Sequence, residues 1–353
     1  MNVMAINSSP RTQGESRSER LLLNLVEGMK QENAQVEVIN LREYNIKFCR
    51  GCYTCWTKTP GKCPLKDDMS SDLFPKWLTA DIVVYSSPLY YRGFTAQLQA
   101  FIERTLPSYK PFIEPNGEKS GHPPRVKFPD FVVLSAAGFP EMLEFQLLSD
   151  WCKTNFETDH SRLLAEIYRP GAQALTQSIY NEVAQDVYSA CIEAGRELIK
   201  NNTVSDQTMA RITQETQEKS DWIKTANLYW QSCIDEKMIP KQFEKSDRVP
   251  VAKTVDDIRV LIPGGINKTE AQEIKERIQF RFGHGEDQSF YLDIQKGKIT
   301  ALPGETDSAA LTINTPFEVW RDIMTGKADG TQMLMEGKYQ IEGDGNLLIK
   351  LFT

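Results

Sequence analysis

Apolar residues follow two alternating patterns through the first 200 residues. Four short runs are almost continuously apolar, as in strands that are buried on both faces. Between them, apolar residues recur at helical spacing, as at Leu21, Leu25 and Met29. The runs are MNVMAIN, QVEVINL, residues 82–85 and residues 131–134. Strands of this kind alternating with amphipathic helices predict an α/β domain with a doubly wound parallel sheet.

The pattern changes near residue 250. Helical spacing predicts a helix over 254–283, interrupted at Pro263, and two strands follow around a Lys296–Gly297 turn. A further strand is predicted over 309–315, a helix over 316–327, and a loop with a strand over 339–352. This order predicts a smaller α+β domain. We therefore expect an α/β domain over 1–200, a helical connector over 201–250 and an α+β domain over 251–353.

Composition narrows the classes of protein. The 353 residues are 40% hydrophobic and 25% charged, as in globular proteins. A net charge of −7 argues against a nucleic-acid partner. We see neither a signal peptide nor an apolar run of the roughly 18 residues that a membrane span needs. The expected location is the cytoplasm, where clustered cysteines indicate metal or redox chemistry more often than disulfides.

Three predicted strands end in loops rich in small residues. In parallel α/β sheets, ligands bind at the carboxyl ends of the strands. The first loop precedes a helix, whose unpaired N–H groups and positive dipole end suit a phosphate. The alternative is that the serine hydroxyls of this loop only cap the helix. The residues that can contact an anion there are Ser8, Ser9, Arg11, Ser16 and Ser18.

Four of the seven cysteines lie within sixteen residues, in CRGCYTCWTKTPGKCP. The spacing C-x2-C-x2-C, with a fourth cysteine after seven intervening residues, is close to the ligand run of bacterial ferredoxins. Pro60 and Gly61 can bend the chain before the fourth thiol. A four-thiolate zinc site, a regulatory dithiol and a metal-free structural loop remain alternatives. The isolated Cys152, Cys191 and Cys233 are expected to be buried packing residues.

The order of INSSPR, CRGCYTCWTKTPGKCPLKDDM and ADIVVYSSPLYYRGFTAQLQAFIERTLP resembles the flavodoxin-like NADPH-dependent FMN reductases, and more closely their iron–sulfur flavoprotein branch. The resemblance implies FMN, with its phosphate on the first loop, where Ser16 or Ser18 stands for a threonine of many relatives. It also implies a four-iron four-sulfur cluster on Cys49, Cys52, Cys55 and Cys63. The flavin ring would lie against Pro88, Leu89, Tyr90, Tyr91, Arg92 and Gly93, and against Ser135, Ala136, Ala137, Gly138 and Phe139.

These carriers imply a function. NAD(P)H delivers two electrons, FMN accepts two and releases them singly, and a cluster passes one at a time. The expected protein is an FMN-dependent NAD(P)H oxidoreductase that converts two-electron to one-electron transfer. No side chain is nominated as a catalytic base. The resemblance further implies a homodimer or higher homo-oligomer, and a ferredoxin is one candidate redox partner. A metal-free flavin redox sensor is the rival interpretation.

The last hundred residues resemble the sterol carrier protein type-2 family. The segments that carry the resemblance are LDIQKGKITAL, ALTINTPFEVWRDIMTGK and MEGKYQIEGDGNLLIKL. The family implies a five-stranded sheet whose helices enclose an apolar tunnel. A lipid- or quinone-binding protein is therefore a second rival, and a plain hydrophobic core is the alternative to a tunnel. The residues expected along the tunnel are Phe317, Trp320, Ile323, Met324, Met333, Leu334 and Met335.

Overall fold

The computed structural model describes residues 1–11, 14–116, 119–177, 180–246, 248–283 and 288–352. Backbone contacts divide the chain into two compact units, residues 1–216 and 217–353. Residues 201–250, for which a separate connector is predicted, are shared between the two units. The predicted domain bounds themselves stay a prediction.

The first unit contains a five-stranded parallel sheet with strand order β2-β1-β3-β6-β7. This is the flavodoxin-like order of a doubly wound sheet, so the predicted fold class is confirmed. A short hairpin, β4–β5, lies outside the sheet. The strands are β1 Asn2–Asn7, β2 Gln35–Asn40, β3 Ile82–Pro88, β4 Glu114–Asn116, β5 Lys119–Gly121, β6 Asp130–Ala136 and β7 Leu163–Arg169. The helices are α1 Arg17–Gln31, α2 Phe74–Thr79, α3 Ala96–Glu103, α4 Gln146–Phe156, α5 Asn181–Asn201 and α6 Asp206–Thr213.

The sheet is covered on both faces because its strands are apolar on both. In β1, Val3 and Ala5 belong to the core beneath α1 and α5, whereas Met4 and Ile6 belong to the core beneath α2, α3 and α4. Side chains of a strand alternate between faces, so a continuous apolar run supplies both cores. The parallel sheet therefore presents only its strand ends, and the loops that follow them, for chemistry.

The two helices on one face approach each other closely. A Cβ atom on Gly28 of α1 would lie 1.8 Å from the carbonyl oxygen of Ile192 in α5. A Cβ atom on Gly195 of α5 would lie 2.1 Å from the carbonyl oxygen of Leu25. Both positions require glycine because backbone occupies the space of a side chain. This contact sets the position of α1, whose first turn borders the loop after β1.

The second unit contains a five-stranded sheet with order β10-β9-β8-β11-β12, parallel only between β8 and β11. The five-stranded sheet that the sterol-carrier resemblance implies is present, and so is the predicted Lys296–Gly297 turn. The strands are β8 Lys275–Arg281, β9 Ser289–Gln295, β10 Lys298–Pro303, β11 Leu311–Asn314 and β12 Gln340–Gly343. The helices are α7 Lys219–Asp235, α8 Pro240–Glu244, α9 Val255–Leu261, α10 Lys268–Ala271, α11 Phe317–Met324, α12 Gly330–Met335 and α13 Gly345–Phe352.

Two expectations for this unit are wrong. Residues 275–281, predicted to continue a helix, form β8, because Ile278 and Phe280 alternate into the core and the strand pairs with β9 and β11. The end of the chain is a strand followed by helix α13 rather than a loop and strand. In α13, Leu347, Leu348 and Leu351 share the buried face.

The aromatic core of the second unit is centred on Trp320. Its ring lies 5.0 Å from that of Phe280, 5.7 Å from Phe352 and 5.8 Å from Tyr339. The indole Nε1 is buried and has no hydrogen-bond partner among the described residues. Met335, expected along a tunnel, is exposed and so does not line the interior. The other expected tunnel residues, Phe317, Ile323, Met324, Met333 and Leu334, are half-buried against this core.

Candidate functional site

The three loops that the sequence singles out meet at one edge of the parallel sheet. The Ser8 N–H donates to the Ser86 carbonyl at 2.9 Å, and the Thr95 hydroxyl donates to the Ser8 carbonyl at 3.3 Å. The Ser135 hydroxyl donates to the Ser87 carbonyl at 2.9 Å. The loops after β1, β3 and β6 are thus joined at the carboxyl ends of adjacent strands. The strand order reverses between β1 and β3, which is where doubly wound sheets bind ligands.

The loop after β1 leads into the N-terminus of α1. Ser16 caps the helix by accepting from the Glu19 N–H at 3.2 Å, and its hydroxyl also lies 3.2 Å from that of Ser18. The Ser9 hydroxyl accepts from the Arg11 N–H. Ser8 differs from these serines, because its buried Oγ has no hydrogen-bond partner among the described residues. An unpaired buried hydroxyl beside a helix N-terminus fits an anionic ligand group.

Sequence reasoning missed a partly buried ion pair at this loop. Arg42 follows β2, and its Nη2 donates to Glu19 Oε1 at 2.9 Å. Its Nη1 also lies 3.5 Å from the Ser9 carbonyl oxygen. The arginine offsets the charge of Glu19, which would otherwise repel an anion at the start of α1. The sequence held one indication of this contact. Arg42 comes just after β2, whose carboxyl end lies at the same edge of the sheet as the first loop.

A strained turn forms one wall of the site. Tyr90 and Gly93 exchange two backbone hydrogen bonds, of 3.1 and 2.9 Å. Between them Tyr91 and Arg92 have φ values of 49° and 58°, which suits a type I′ turn but is unusual without glycine or asparagine. The turn leaves Tyr91 fully exposed rather than packed in the chain. Arg92 pairs with Glu144, so the turn is tied to the segment that follows β6.

The end of β6 forms the other wall. Ser135, Ala136 and Ala137 are buried, whereas Gly138 and Phe139 are exposed. The Ala137 N–H donates to the Arg169 carbonyl at 3.0 Å, and the Gly171 N–H donates to the Phe139 carbonyl at 2.7 Å. The segment is therefore held by the loop after β7. Together with residues 88–93 it provides backbone and exposed aromatic surface suited to a flat ring.

The four clustered cysteines line one pocket, whose cavity volume is about 20 Å³. Cys55 is buried, Cys49 and Cys63 are partly buried, and Cys52 is exposed. Burial raises the pKa of the Cys55 thiol, and the neighbouring Cys63 raises it further. Hydrogen bonds with Thr54 lower the pKa of Cys52. The structure therefore brings all four predicted ligands to one place.

Four thiols at one pocket are a donor set for a four-thiolate zinc site or for an iron–sulfur cluster. Within the described part of the chain, no three His, Cys, Asp or Glu side chains are close enough together to hold a single metal ion. A tetrahedral zinc site needs every sulfur about 2.3 Å from one point. The C-x2-C-x2-C run suits an iron–sulfur cluster better than zinc, for which paired C-x2-C knuckles are usual. No described cysteine is in a disulfide.

The segment around the pocket is strongly basic. Residues 47–66 contain no acidic residue, although the whole chain has a net charge of −7. Positive charge around a pocket of thiolates stabilises an anionic occupant. The basic residues of this segment are Lys47, Arg50, Lys58, Lys62 and Lys66.

A buried ion pair beneath the pocket predicts an acid-sensitive stability. Burial alone would raise the pKa of Asp67, but hydrogen bonds from Arg104 and from the Lys47 and Ser70 N–H groups lower it from 3.8 to about 2. Because the folded pKa is depressed, the carboxylate stabilises the fold above about pH 4. This contribution, about 2 kcal/mol, is lost between about pH 4 and pH 2.

Urea unfolding of the wild type and Asp67→Asn between pH 7 and pH 2 measures this contribution. We expect the variant to be less stable at pH 7 and the difference to shrink below about pH 4. A difference that stays constant over the whole range would show that Asp67 does not titrate in this way.

The isolated cysteines are buried, as expected. Burial raises the pKa of Cys152 and that of Cys191 to about 12 each. Cys233 is also buried. Thiols in such surroundings are unreactive. The chemistry of sulfur is therefore concentrated in the pocket formed by residues 49–63.

Two protein-family models match this chain. The sequence model of the NADPH-dependent FMN reductase family matches residues 1–115. The model of the SCP-2 sterol transfer family matches residues 263–353. Both resemblances are confirmed. The flavin-reductase match includes the first loop, the cysteine pocket and the strained turn, whereas the β6 wall lies beyond it.

Curated relatives extend the comparison. An iron-sulfur flavoprotein of Methanocaldococcus jannaschii is 33% identical over 107 residues, which are 30% of this chain and 53% of the relative. One of Archaeoglobus fulgidus is 31% identical over 142 residues, which are 40% of this chain and 58% of the relative. The chain thus spans little more than half the length of these relatives.

Among solved structures, the NAD(P)H:quinone oxidoreductase from Methanothermobacter marburgensis is similar, with a TM-score of 0.41 and 18% identity. The match covers 56% of this chain and 96% of that protein. Among the described helices, none combines the length and apolar character that a membrane crossing requires.

Proposed function

We propose that the protein is an FMN-dependent NAD(P)H oxidoreductase that passes electrons through a four-iron four-sulfur cluster to a one-electron acceptor. One observation carries this proposal. A single unit combines three joined loops at the switch point of a flavodoxin-like sheet with a pocket lined by four thiols. The match to the flavin-reductase family and the names of the relatives support the same function.

The residues of the first loop fit a flavin phosphate. The N-terminus of α1 presents the positive end of the helix dipole, and Ser8 adds a buried hydroxyl that has no partner among the described residues. Ser9, Ser16 and Ser18 shape the loop by their own hydrogen bonds. The exposed Arg11 adds positive charge at the entrance. These residues bind and orient the cofactor; none of them needs to act as an acid or a base.

The turn and the end of β6 would bind the two sides of the flavin ring. The turn 90–93 and residues 135–139 face the same sheet edge, and the Arg92–Glu144 pair ties them together. Bound FMN supplies the exchange between two-electron and one-electron chemistry. The four thiols of the pocket are the proposed cluster ligands, and the basic residues of 47–66 offset the charge of the cluster.

Anaerobic titration with NADPH and with NADH tests the activity. We expect one of the two nucleotides to bleach the flavin absorbance. Added in excess, a one-electron acceptor should then be reduced in a ratio of about two molecules per nucleotide oxidised. A flavin-loaded protein that neither nucleotide reduces would contradict the proposed activity.

The phosphate assignment predicts a specific loss in Ser8→Ala. The variant removes a hydrogen-bond donor to an anion, so we expect its FMN affinity to fall about tenfold. Affinity for riboflavin, which lacks the phosphate, should stay unchanged. Isothermal titration of both ligands measures the difference.

The control is Ser161→Ala, which removes a buried hydroxyl near the start of β7, at the opposite end of the sheet. It should change neither affinity. Equal losses for FMN and riboflavin in Ser8→Ala would place the phosphate elsewhere.

Exposed apolar side chains around the flavin walls support a homodimer or higher homo-oligomer. Several large apolar side chains exposed near one site are typical of contact surfaces. A second copy of the chain would cover it and exclude water from the ring. The exposed residues are Tyr90, Tyr91, Phe139, Met142, Leu143 and Leu147. Around the cysteine pocket the basic segment favours an acidic redox partner, for which a ferredoxin is one candidate.

A second function, binding of an apolar ligand by the C-terminal unit, is favoured by one observation. The Trp320 Nε1–H is buried in an apolar core and has no partner in the described part of the chain, as a donor to a ligand carbonyl or carboxylate would be. The match to the SCP-2 family supports the same proposal. Native mass spectrometry of the purified chain should then show a co-purified lipid or quinone. A chain that carries none and takes up neither would contradict it.

A further inference from the structure

One buried arginine joins the two ends of the cysteine segment. Arg104 caps the C-terminus of α3, and its side chain is only 1% exposed. Its guanidinium donates to the Lys47 carbonyl at 2.6 Å, to both oxygens of Asp67 at 2.6 and 3.0 Å, and to the Ser70 hydroxyl at 2.8 Å. Lys47 precedes the first cysteine, and Asp67 and Ser70 follow the last.

Asp67 completes the closure from the other side. Its carboxylate, whose side chain is fully buried, accepts from the Lys47 N–H at 2.9 Å and from the Ser70 N–H at 3.1 Å. Both backbone groups of Lys47 are thus held by the same ion pair. A segment with little regular structure between residues 47 and 67 is therefore fixed at its base by one buried contact.

Arg104 also faces the pocket. It lines the same wall as the four cysteines, together with Leu106 and Pro107. Its Nε is buried and has no hydrogen-bond partner among the described residues. A buried charge is expensive unless its donors meet acceptors. Cys63, one of the four pocket cysteines, lies beside this guanidinium, so Arg104 contacts the pocket through a proposed ligand.

We propose that Arg104 is a positioning residue for the four-cysteine pocket, which holds the cysteine loop closed through Asp67 and places a positive charge beside the cluster. This inference rests on the proposed function, because it assigns the cluster to this pocket. Reduction adds one electron to the cluster and takes up no proton at Arg104, which stays charged. A fixed positive charge favours the more negative reduced cluster, so it raises the reduction potential.

Arg104→Gln removes the charge, whereas Arg104→Lys keeps it. The double variant D67N/R104Q removes both members of the ion pair, leaves the net charge unchanged, and tests the closure of the loop if Arg104→Gln does not fold. Each protein is reconstituted anaerobically with iron and sulfide, and its iron content and cluster potential are measured. Loss of the charge should lower the equilibrium constant for cluster reduction at least tenfold, which is about 59 mV for one electron. Arg104→Lys should keep the potential close to that of the wild type.

The matched control is Arg162→Gln. Arg162 also makes a two-pronged pair, with Asp130, but its side chain is 63% exposed. Its loss should change neither iron content nor potential. A cluster with the wild-type potential in Arg104→Gln, or wild-type iron content in the double variant where only that variant folds, would overturn the role of Arg104.

A separate measurement distinguishes this failure from failure of the proposed function. If the wild type takes up no iron, the assignment of a cluster is wrong. The closure of the cysteine loop by Arg104 and Asp67 is then tested on the iron-free chain, by alkylation and mass spectrometry. Cys55 should react at least tenfold faster in the uncharged variants than in the wild type. Equal rates would overturn the closure as well.

Discussion

Replacing Cys55 by serine should reduce the iron content from about four to less than about one atom per chain after anaerobic purification. Cys55 is the buried member of the four thiols and lies in the same pocket as the other three. A cluster that loses its innermost thiolate loses one of the bonds that hold it away from water. The broad visible absorbance of the cluster should disappear with the iron, while the flavin bands remain because the three strand-end loops are unchanged.

Iron and sulfide assays and the optical spectrum check this prediction, with Cys233→Ser as the control. Cys233 is equally a buried cysteine, but it lies in the second unit. Its replacement should leave the iron content unchanged. Wild-type iron in Cys55→Ser would remove Cys55 from the ligand set. If the wild type contained one zinc ion and no iron, the pocket would be a mononuclear zinc site and not a cluster site.

Gly195→Ala should strongly destabilise the first unit. Its new methyl group would lie 2.1 Å from the Leu25 carbonyl oxygen, so α1 and α5 must separate. We expect a loss of about 2–3 kcal/mol, although alanine itself favours a helix over glycine by about 0.5–1 kcal/mol. Because α1 begins at the loop proposed to bind phosphate, FMN affinity should fall as well.

Hydrogen exchange followed by mass spectrometry measures this effect on peptides from α1 and α5. Gly264→Ala is the control, because a Cβ atom there meets no atom within 4 Å. Protection of α1 should fall in the first variant and stay unchanged in the control. Unchanged protection in Gly195→Ala would show that the helices tolerate a wider separation.

The parallel sheet was predictable because its central strands are buried on both faces. Residues 82–85 and 131–134 are continuously apolar, and no helix period fits such short runs. The edge strand β7 was missed. Its first half is only partly buried, and it includes the charged Glu166, so its sequence does not read as a buried strand.

Two segments of the second unit were misread for a related reason. In residues 274–282, Ile274 and Ile278 fit a helix, whereas Ile278, Phe280 and Phe282 fit a strand. The sequence fits both the helical and the strand period, and pairing with β9 and β11 makes the segment a strand. The closing run NLLIKLF is too short to tell a strand from a helix by composition.

The candidate site also contains some residues that the local sequence indicates and others that only the fold reveals. Serines after a strand and cysteines at a fixed spacing are local signals, so sequence alone identified them. Arg42 and Arg104 act through partners 23 to 57 residues distant in the chain. The position of Arg42 after β2 indicates the sheet edge, but nothing local in the sequence marks the partners of either arginine. These positioning residues therefore became visible only when the fold brought their partners together.

The optical spectrum of the protein purified without oxygen, recorded before and after addition of FMN, tests the central claim most directly. The account predicts flavin bands, with about one FMN per chain, on a broad shoulder that a reductant removes. A colourless, folded protein that takes up no FMN would contradict the assignment of the sheet edge, and with it the proposed function.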